Sequence, residues 1–194
     1  NIFTLYPYVF PSVLGQGIYE RASKNNIWEL NIKNIRDYAS DKHSTVDDRP
    51  FGGGSGMVIK ADIIDKCLDE NPNNYKTYFL SPRGKVFDQD LANQISNFDG
   101  INLVCGHFEG VDQRILDYRK IEEISVGDFI LSGGESAAII ILDAVLRLIP
   151  GVLGNEKSVK DESFKNNLLE YPQYTQPRIW NKLEVPGVLL SGNH

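Results

Sequence analysis

The sequence contains only two cysteines, Cys67 and Cys105, and no long apolar run. Both cysteines lie in apolar surroundings, so we interpret them as reduced core thiols of a cytoplasmic protein, not as a disulfide or a metal site. No run reaches the roughly 18 to 20 apolar residues that a membrane span requires, so we expect no membrane partner. The first residues lack the basic stretch and cleavage site of a secretory signal. There is also no Cys or His cluster, so we predict no bound metal.

The chain has little excess charge. Its 194 residues include 26 acidic and 20 basic side chains, for a net charge of -6. This balance argues against broad non-specific nucleic-acid binding, which depends on cationic surface, although a local basic site remains compatible with it. The length is sufficient for one domain with its own hydrophobic core.

Strand-like runs alternate with helical patterns, which predicts an α/β fold with a mainly parallel sheet. The predicted strands are 2–6, 28–32, 75–80, 101–105 and 129–131, and the predicted helices are 13–24, 63–68, 91–98 and 135–149. We expect Ser81 and Pro82 to end the third strand. The composition becomes polar after Gly154, which predicts a first domain over 1–154, a flexible linker over 155–170 and the start of a further segment over 171–194.

Three glycine-containing loops, 80–85, 105–110 and 125–135, follow strand-like runs. Ligands bind at the carboxyl ends of parallel strands, and glycine lets the backbone approach a ligand closely. If the loops converge, they form a pocket lined with main chain, which suits an adenosine-like ligand. Each loop by itself is also explained as a tight turn without a ligand. None matches the G-x-G-x-x-G or phosphate-loop pattern, so a dinucleotide or nucleoside triphosphate is disfavoured.

A fourth glycine-rich segment, 47–57, is either a flexible linker or a loop that approaches a substrate closely, with Asp and Arg at its edge. We interpret His43 and His107 as hydrogen-bonded loop residues in preference to ligands.

The last predicted helix is apolar except for a stripe formed by Ser136, Asp143 and Arg147, which lie on one side at about 100° per residue. A buried arginine needs a partner. Arg147 therefore either pairs with Asp143 or faces an active-site cleft. Asp161 and Glu162 by themselves are typical of solvated surface charge.

Five strings, 46–57, 105–112, 127–135, 147–154 and 188–194, occur in order over almost the whole chain. Together they closely resemble the TrmD family, the bacterial tRNA (guanine-N1)-methyltransferases of the SPOUT class. The resemblance implies a sheet with helices on both faces and a deep trefoil knot towards the C-terminal side of the methyltransferase domain. It implies a homodimer with active sites at the subunit interface. The reaction would transfer a methyl group from S-adenosyl-L-methionine to N1 of the guanosine just 3′ of the anticodon (tRNA position 37).

The resemblance also implies roles for individual residues. The substrate guanine and its neighbours would contact His43, Asp47, Arg49 and Gly56. The cofactor would contact Phe79, Leu80, Ser81, Pro82, Gly84, Gly106, Phe108, Glu109, Gly110, Ser125, Val126, Gly127, Asp128, Phe129, Ile130, Leu131, Gly133 and Gly134.

For catalysis, the resemblance assigns Arg147 to the charge that develops on O6 of guanine. The family's general base is an Asp directly before Ser-Phe. Here Glu162 precedes Ser163 and Phe164, so register favours Glu162, with Asp161 as the alternative.

The chain departs from the family pattern at two further places. His107 and Phe108 replace an Arg-Tyr pair, which would weaken a phosphate or interface contact. The family's small basic helical tRNA-binding domain is absent after 188–194, so we expect the chain to bind cofactor but to bind tRNA poorly. Two other hypotheses stay open: a cofactor- or RNA-binding module without turnover, and, less favoured, a doubly wound nucleotide-dependent enzyme.

Overall fold

The computed structural model describes residues 1–153 and 172–191. The chain divides into two units, Asn1–Glu156 and Lys157–His194. The predicted linker, 155–170, lies outside the described residues, and so do the two candidate bases, Asp161 and Glu162. The predicted domain borders therefore stay a prediction.

The first unit is built on a parallel sheet. Its strands are β1 (Ile2–Thr4), β2 (Ile32–Asn34), β3 (Asp47–Asp48), β4 (Val58–Ile59), β5 (Lys76–Val86), β6 (Ile101–Cys105) and β7 (Glu122–Ser125). Its helices are α1 (Gly17–Lys24), α2 (Ala61–Asp69), α3 (Gln89–Ser96), α4 (Gln113–Arg119) and α5 (Glu135–Leu146). Five strands form one sheet in the order β2-β1-β6-β5-β7, with every pairing parallel. The short strands β3 and β4 form a separate antiparallel pair.

Helices cover both faces of the five-stranded sheet. Successive strand side chains point to opposite faces, and in β6 Leu103 belongs to one buried cluster while Val104 belongs to the other. The first cluster includes side chains of α1, α3 and α5, and the second includes those of α2 and α4. The predicted α/β class with a mainly parallel sheet is thus confirmed.

Strand β5 differs from its prediction at a point that matters for the site. Leu80 and Lys85 both pair with Ile124 of β7, so residues 81–84 bulge out of the ladder before pairing resumes. The prediction that Ser81 and Pro82 end the strand is wrong. A proline is tolerated here because a bulge does not use its missing N–H.

Two predicted strands are wrong. Residues 28–31 lie outside the sheet ladder, which begins at Ile32, although the Asn31 carbonyl oxygen accepts the Ile2 N–H at 2.8 Å; the Trp28 indole N–H donates to the carbonyl oxygen of Tyr19 at 2.8 Å. Residues 129–131 form an exposed loop in which the Phe129 N–H donates to Gly127 O at 2.9 Å. The strand at this place is β7. The sequence pattern does not predict β7, because two of its four residues are glutamates. In the fold, Glu122 forms an ion pair with Lys76 at 2.7 Å.

The helix predicted over 13–24 is interrupted. A 3₁₀ turn covers Ser12–Gly15, and α1 starts at Gly17, whose φ of +59° breaks the helical path. Helix α5 is shorter than predicted, because turns occupy the residues after Leu146. Among the residues that the structure describes, no helix is long and apolar enough to cross a membrane.

The described part of the second unit contains an antiparallel hairpin, β8 (Ile179–Trp180) and β9 (Leu183–Glu184). Its two turn residues, Asn181 and Lys182, have φ values of +49° and +67°. Positive φ at both central positions is the geometry of a two-residue hairpin turn.

Candidate functional site

The carboxyl ends of β6, β5 and β7 lie side by side, because these strands are neighbours in the sheet and run in parallel. The bulge 81–84 inside β5 and the loops that follow β6 and β7 therefore meet. They surround a cavity of about 410 Å³ in the first unit. This is the convergence that the sequence predicts.

Most of the residues predicted to bind cofactor line this cavity. They are Phe79, Leu80, Ser81, Pro82, Gly106, Phe108, Glu109, Gly110, Ser125, Val126, Gly127, Phe129, Ile130, Leu131, Gly133 and Gly134. The lining also includes residues that sequence reasoning left out: Arg83, His107, Val111, Gln113, Ile124, Ser132 and Ala137. Arg83, His107 and Ser132 lie inside the predicted loops, so their loop position was the signal that could have found them.

Two predicted residues, Gly84 and Asp128, are not part of the described lining. A Cβ on Gly84 would lie 2.4 Å from the backbone nitrogen of Ile124 and 2.4 Å from the carbonyl carbon of Glu123. Gly84 is thus needed where the bulge of β5 crosses the backbone of β7, and its role there is close packing.

Glycines bring two walls of the cavity into direct backbone contact. The Gly134 N–H donates to the carbonyl oxygen of Gly106 at 2.9 Å. A Cβ on Gly134 would lie 2.7 Å from Cys105 Cα, and a Cβ on Gly106 would lie 2.7 Å from the Phe79 ring. Real side chains do not tolerate such distances, so the cavity wall requires glycine at both positions.

A buried polar cluster fixes the same walls to β1. His107 Nε2 lies 2.7 Å from Glu135 Oε2, and the Thr4 hydroxyl donates to Glu135 Oε1 at 2.5 Å. Thr4 and Glu135 are 0% and 7% exposed, so this contact is shielded from water. Burial raises the pKa of the Cys105 thiol well above its usual 9.0, and the Glu135 charge raises that pKa further. The interpretation of His107 as a hydrogen-bonded loop residue is confirmed.

The glycine-rich segment 47–57 reaches the cavity at one end. The Glu109 N–H donates to the carbonyl oxygen of Met57 at 2.9 Å. A Cβ on Gly56 would lie 2.4 Å from Glu109 Oε1. Since Glu109 lines the cavity, Gly56 lies directly behind its wall.

The other predicted substrate residues lie further along the chain. Asp47 belongs to β3 and pairs with Ile59, which holds the base of the segment. Arg49 lines a separate surface groove between this segment and α2 and α4. His43 lies in an exposed turn whose N–H groups donate to Asp41. The structure thus brings Gly56 to the cavity wall but leaves His43 and Arg49 outside its lining.

Arg147 follows α5 at the end away from the cavity. About thirteen residues at 1.5 Å each separate it from Gly134, a rise of about 20 Å. Nearby, the Tyr19 hydroxyl donates to the Asp143 carboxylate. Burial raises the Tyr19 pKa, the Asp143 bond raises it further, and the charge of Arg147 lowers it. Asp143 therefore accepts a hydrogen bond from Tyr19, and Arg147 lies close enough for its charge to lower the pKa of the Tyr19 hydroxyl.

Comparison with known proteins shows the family. The sequence model of tRNA (Guanine-1)-methyltransferase TrmD matches residues 1–194. The chain belongs to the TrmD family. Two of its five quoted strings, 105–112 and 127–135, lie in loops around the cavity, so the family resemblance and the geometry share these residues.

Curated relatives agree with this assignment. A tRNA (guanine-N(1)-)-methyltransferase of Pelagibacter ubique is 61% identical over all of this chain and 86% of its own length. Proteins with the same name from Anaplasma phagocytophilum and Bartonella tribocorum are 50% and 52% identical, again over all of this chain and 84% of their own length.

Proposed function

We propose that this chain transfers a methyl group from S-adenosyl-L-methionine to N1 of the guanosine immediately 3′ of the anticodon in tRNA. The observation that carries the proposal is the cavity at the ends of β5, β6 and β7. It is lined in part by the loops 105–110 and 125–135, whose sequences fall largely within the strings that resemble the TrmD family. We further propose that residues 126–134 complete the deep trefoil knot of the SPOUT class, with the cofactor bound against them.

The lining fits an adenosine-like cofactor. Its volume of about 410 Å³ is within the range usual for small-molecule sites. Glycines at 106, 127, 133 and 134 carry no side chain that would keep a base away from the main chain. Exposed apolar side chains of Phe129, Ile130 and Leu131 offer surface to its faces. The cavity wall is thus suited to a nucleoside that the main chain recognises.

The cofactor supplies a methyl group that is already activated by its sulfonium. The protein's tasks are to align guanine N1 with that methyl and to remove the N1 proton. A carboxylate in reach accomplishes the proton transfer, which is typically worth about 100- to 10,000-fold in rate. Register favours Glu162 for this role, with Asp161 as the alternative. Negative charge then develops on O6 of guanine, and the Arg147 guanidinium stabilises it as a hydrogen-bond donor.

The position of Arg147 supports a homodimer with shared active sites. Arg147 lies about 20 Å of helix away from Gly134, so its side chain is too short to reach the cavity of its own subunit. A second copy must then contribute the arginine. Apolar side chains near α5 suit such contact: Ile140 is 47% exposed, and Val13, in a turn that packs on α5, is 58% exposed. We propose that this face meets its symmetry mate.

The segment 47–57 fits the approach of tRNA to the cavity. Gly56 lies against the cavity residue Glu109, while Arg49 provides a cation in the surface groove next to this segment. We propose that Asp47, Arg49 and Gly56, together with His43, contact the target guanine and its neighbours after the segment closes on them.

The general base is tested by methyl transfer to tRNA from a donor with a labelled methyl group. We expect Glu162→Gln to slow transfer by about 100- to 10,000-fold while binding of S-adenosylhomocysteine persists. Asp161→Asn is the matched control and should retain most of the activity. Loss of transfer in Asp161→Asn alone, with cofactor binding intact, would move the assignment to Asp161.

The shared site is tested by mixing two impaired variants at a cofactor concentration too low to saturate Gly134→Ala. Arg147→Gln lacks the guanidinium, and Gly134→Ala has a damaged cavity. After subunit exchange, a mixed dimer has one site with an intact cavity and an intact partner arginine, so part of the activity should return. Activity that stays absent in a verified mixed dimer would contradict the shared site.

A further inference from the structure

The described lining of the cavity contains few ionisable side chains. They are Arg83, Glu109 and His107. His107 is engaged with the buried Glu135. Arg83 is therefore the permanent cation among the described residues that line this cavity.

The fold holds Arg83 at the cavity. It lies in the bulge of β5, between the paired residues Leu80 and Lys85. Its Nη2 donates to Glu123 Oε1 at 3.0 Å and to Gln113 Oε1 at 3.2 Å. These contacts come from β7 and α4, so two separate elements orient the guanidinium.

The guanidinium retains the capacity to bind a ligand. Both contacts use Nη2, and its other N–H groups make no hydrogen bond with residues in the ranges 1–153 and 172–191. The side chain is 65% exposed, against 23% for Glu123. The anchor is thus the more buried partner, and the exposed guanidinium keeps donors that Glu123 and Gln113 do not use.

We infer that Arg83 binds the α-carboxylate of the methionyl part of the cofactor. This inference rests on the proposed function. The adenosine part of that cofactor carries no charge, and its amino-acid part carries one carboxylate. The planar fork of an arginine matches the two oxygens of a carboxylate, and no other lysine or arginine is among the described residues that line the cavity. Arg83 thereby distinguishes a complete cofactor from a nucleoside that lacks the amino-acid part.

The test compares two ligands on the whole chain by calorimetric titration. S-adenosylhomocysteine carries the carboxylate, whereas 5′-methylthioadenosine has the same adenosine and thioether but lacks the amino-acid part. In Arg83→Gln we expect the affinity for S-adenosylhomocysteine to fall by about 5- to 20-fold. The affinity for 5′-methylthioadenosine should stay within about twofold, because that ligand never reaches the guanidinium. Arg83→Lys, which keeps the charge but loses the fork, should give an intermediate loss for the first ligand only.

Arg114→Gln is the matched control. Arg114 is also an exposed arginine with a carboxylate partner, Asp112, at 2.6 Å, but it does not line the cavity. Its substitution should leave both affinities unchanged.

Three outcomes would overturn the inference. Equal loss for both ligands in Arg83→Gln would mean that Arg83 only supports the shape of the cavity. Unchanged affinity for both ligands, with a raised KM for tRNA, would assign Arg83 to an RNA phosphate. Failure of the unsubstituted chain to bind either ligand would overturn the proposed function as well. The first two outcomes would overturn only the role of Arg83.

Discussion

Two glycine-rich loops of the first unit differ in how closely the rest of the fold surrounds them. In the packed loop, residues 125–135, a Cβ on Gly133 would lie 2.2 Å from His107 Nε2, and a Cβ on Gly134 would lie 2.7 Å from Cys105 Cα. In the open loop, residues 47–57, Gly53 and Gly54 have positive φ and no atom within 4 Å of the position of a Cβ.

The difference separates two uses of glycine that composition alone cannot distinguish. In the packed loop, glycine allows backbone segments to touch, and the result is a cavity wall with fixed N–H and C=O groups. In the open loop, Gly52, Gly53 and Gly54 adopt left-handed conformations that no neighbouring element restricts, while Gly56 at the end of the loop packs against Glu109. The packed loop is thus suited to hold a cofactor, and the open loop is suited to change shape around a larger substrate.

The strongest test of this comparison is Gly134→Ala. The added Cβ meets backbone atoms of Cys105 and Gly106, which cannot move without disturbing β6. We expect the free energy of unfolding to fall by about 2 to 3 kcal/mol, the upper part of the range for overpacking. The affinity for S-adenosylhomocysteine should fall at least tenfold, about 1.4 kcal/mol. Urea denaturation and calorimetric titration measure the two effects.

The control for this variant is Gly187→Ala. A Cβ on Gly187 meets no atom within 4 Å, and its φ lies outside the positive range. The same chemical change should therefore leave stability and cofactor affinity unchanged. A Gly134→Ala protein as stable as this control would show that the packed loop adapts readily, and the contrast between the loops would fail.

A smaller effect is expected from Thr4→Val, which loosens the packed loop from β1. Valine keeps the shape of threonine but removes the hydroxyl that donates to Glu135 and accepts the N–H of Tyr6 at 2.9 Å. Since Glu135 is only 7% exposed, water has little access to replace the hydrogen bond that its carboxylate loses. We expect the free energy of unfolding to fall by about 1 to 2 kcal/mol, measured by urea denaturation.

Thr45→Val is the matched control, because the Thr45 hydroxyl also donates to a carboxylate, Asp41, at 2.8 Å, but on the exposed surface. Water replaces that bond when it is lost, so stability should not change measurably. If the free energy of unfolding falls equally in Thr4→Val and Thr45→Val, burial of the Thr4–Glu135 contact contributes nothing to stability.

The sequence was sufficient for the features that depend on local pattern. Four of the five residues of β6 are apolar and predict a strand buried on both faces, and the glycine-containing loops 80–85, 105–110 and 125–135 predict a shared pocket if they converge. The bulge at 81–84 was not predictable, because it depends on Leu80 and Lys85 sharing Ile124 as a partner. The Thr4–Glu135 contact was also hidden, since it joins residues 131 positions apart. Strand β7 was missed because Glu122 and Glu123 interrupt its apolar pattern and find cationic partners only in the fold.

The smallest effect concerns the open loop and Gly53→Ala. The φ of Gly53 is +81°, a region that costs a side chain about 1 to 2 kcal/mol. The unbound loop can relax, so stability and affinity for S-adenosylhomocysteine should match those of the unsubstituted chain. If tRNA requires the left-handed conformation, the strain returns on binding, and about 1 kcal/mol raises the KM for tRNA roughly fivefold. Steady-state methyl transfer at saturating cofactor measures this change. A loss of cofactor affinity in Gly53→Ala would mean that the open loop already forms part of the cavity before tRNA arrives.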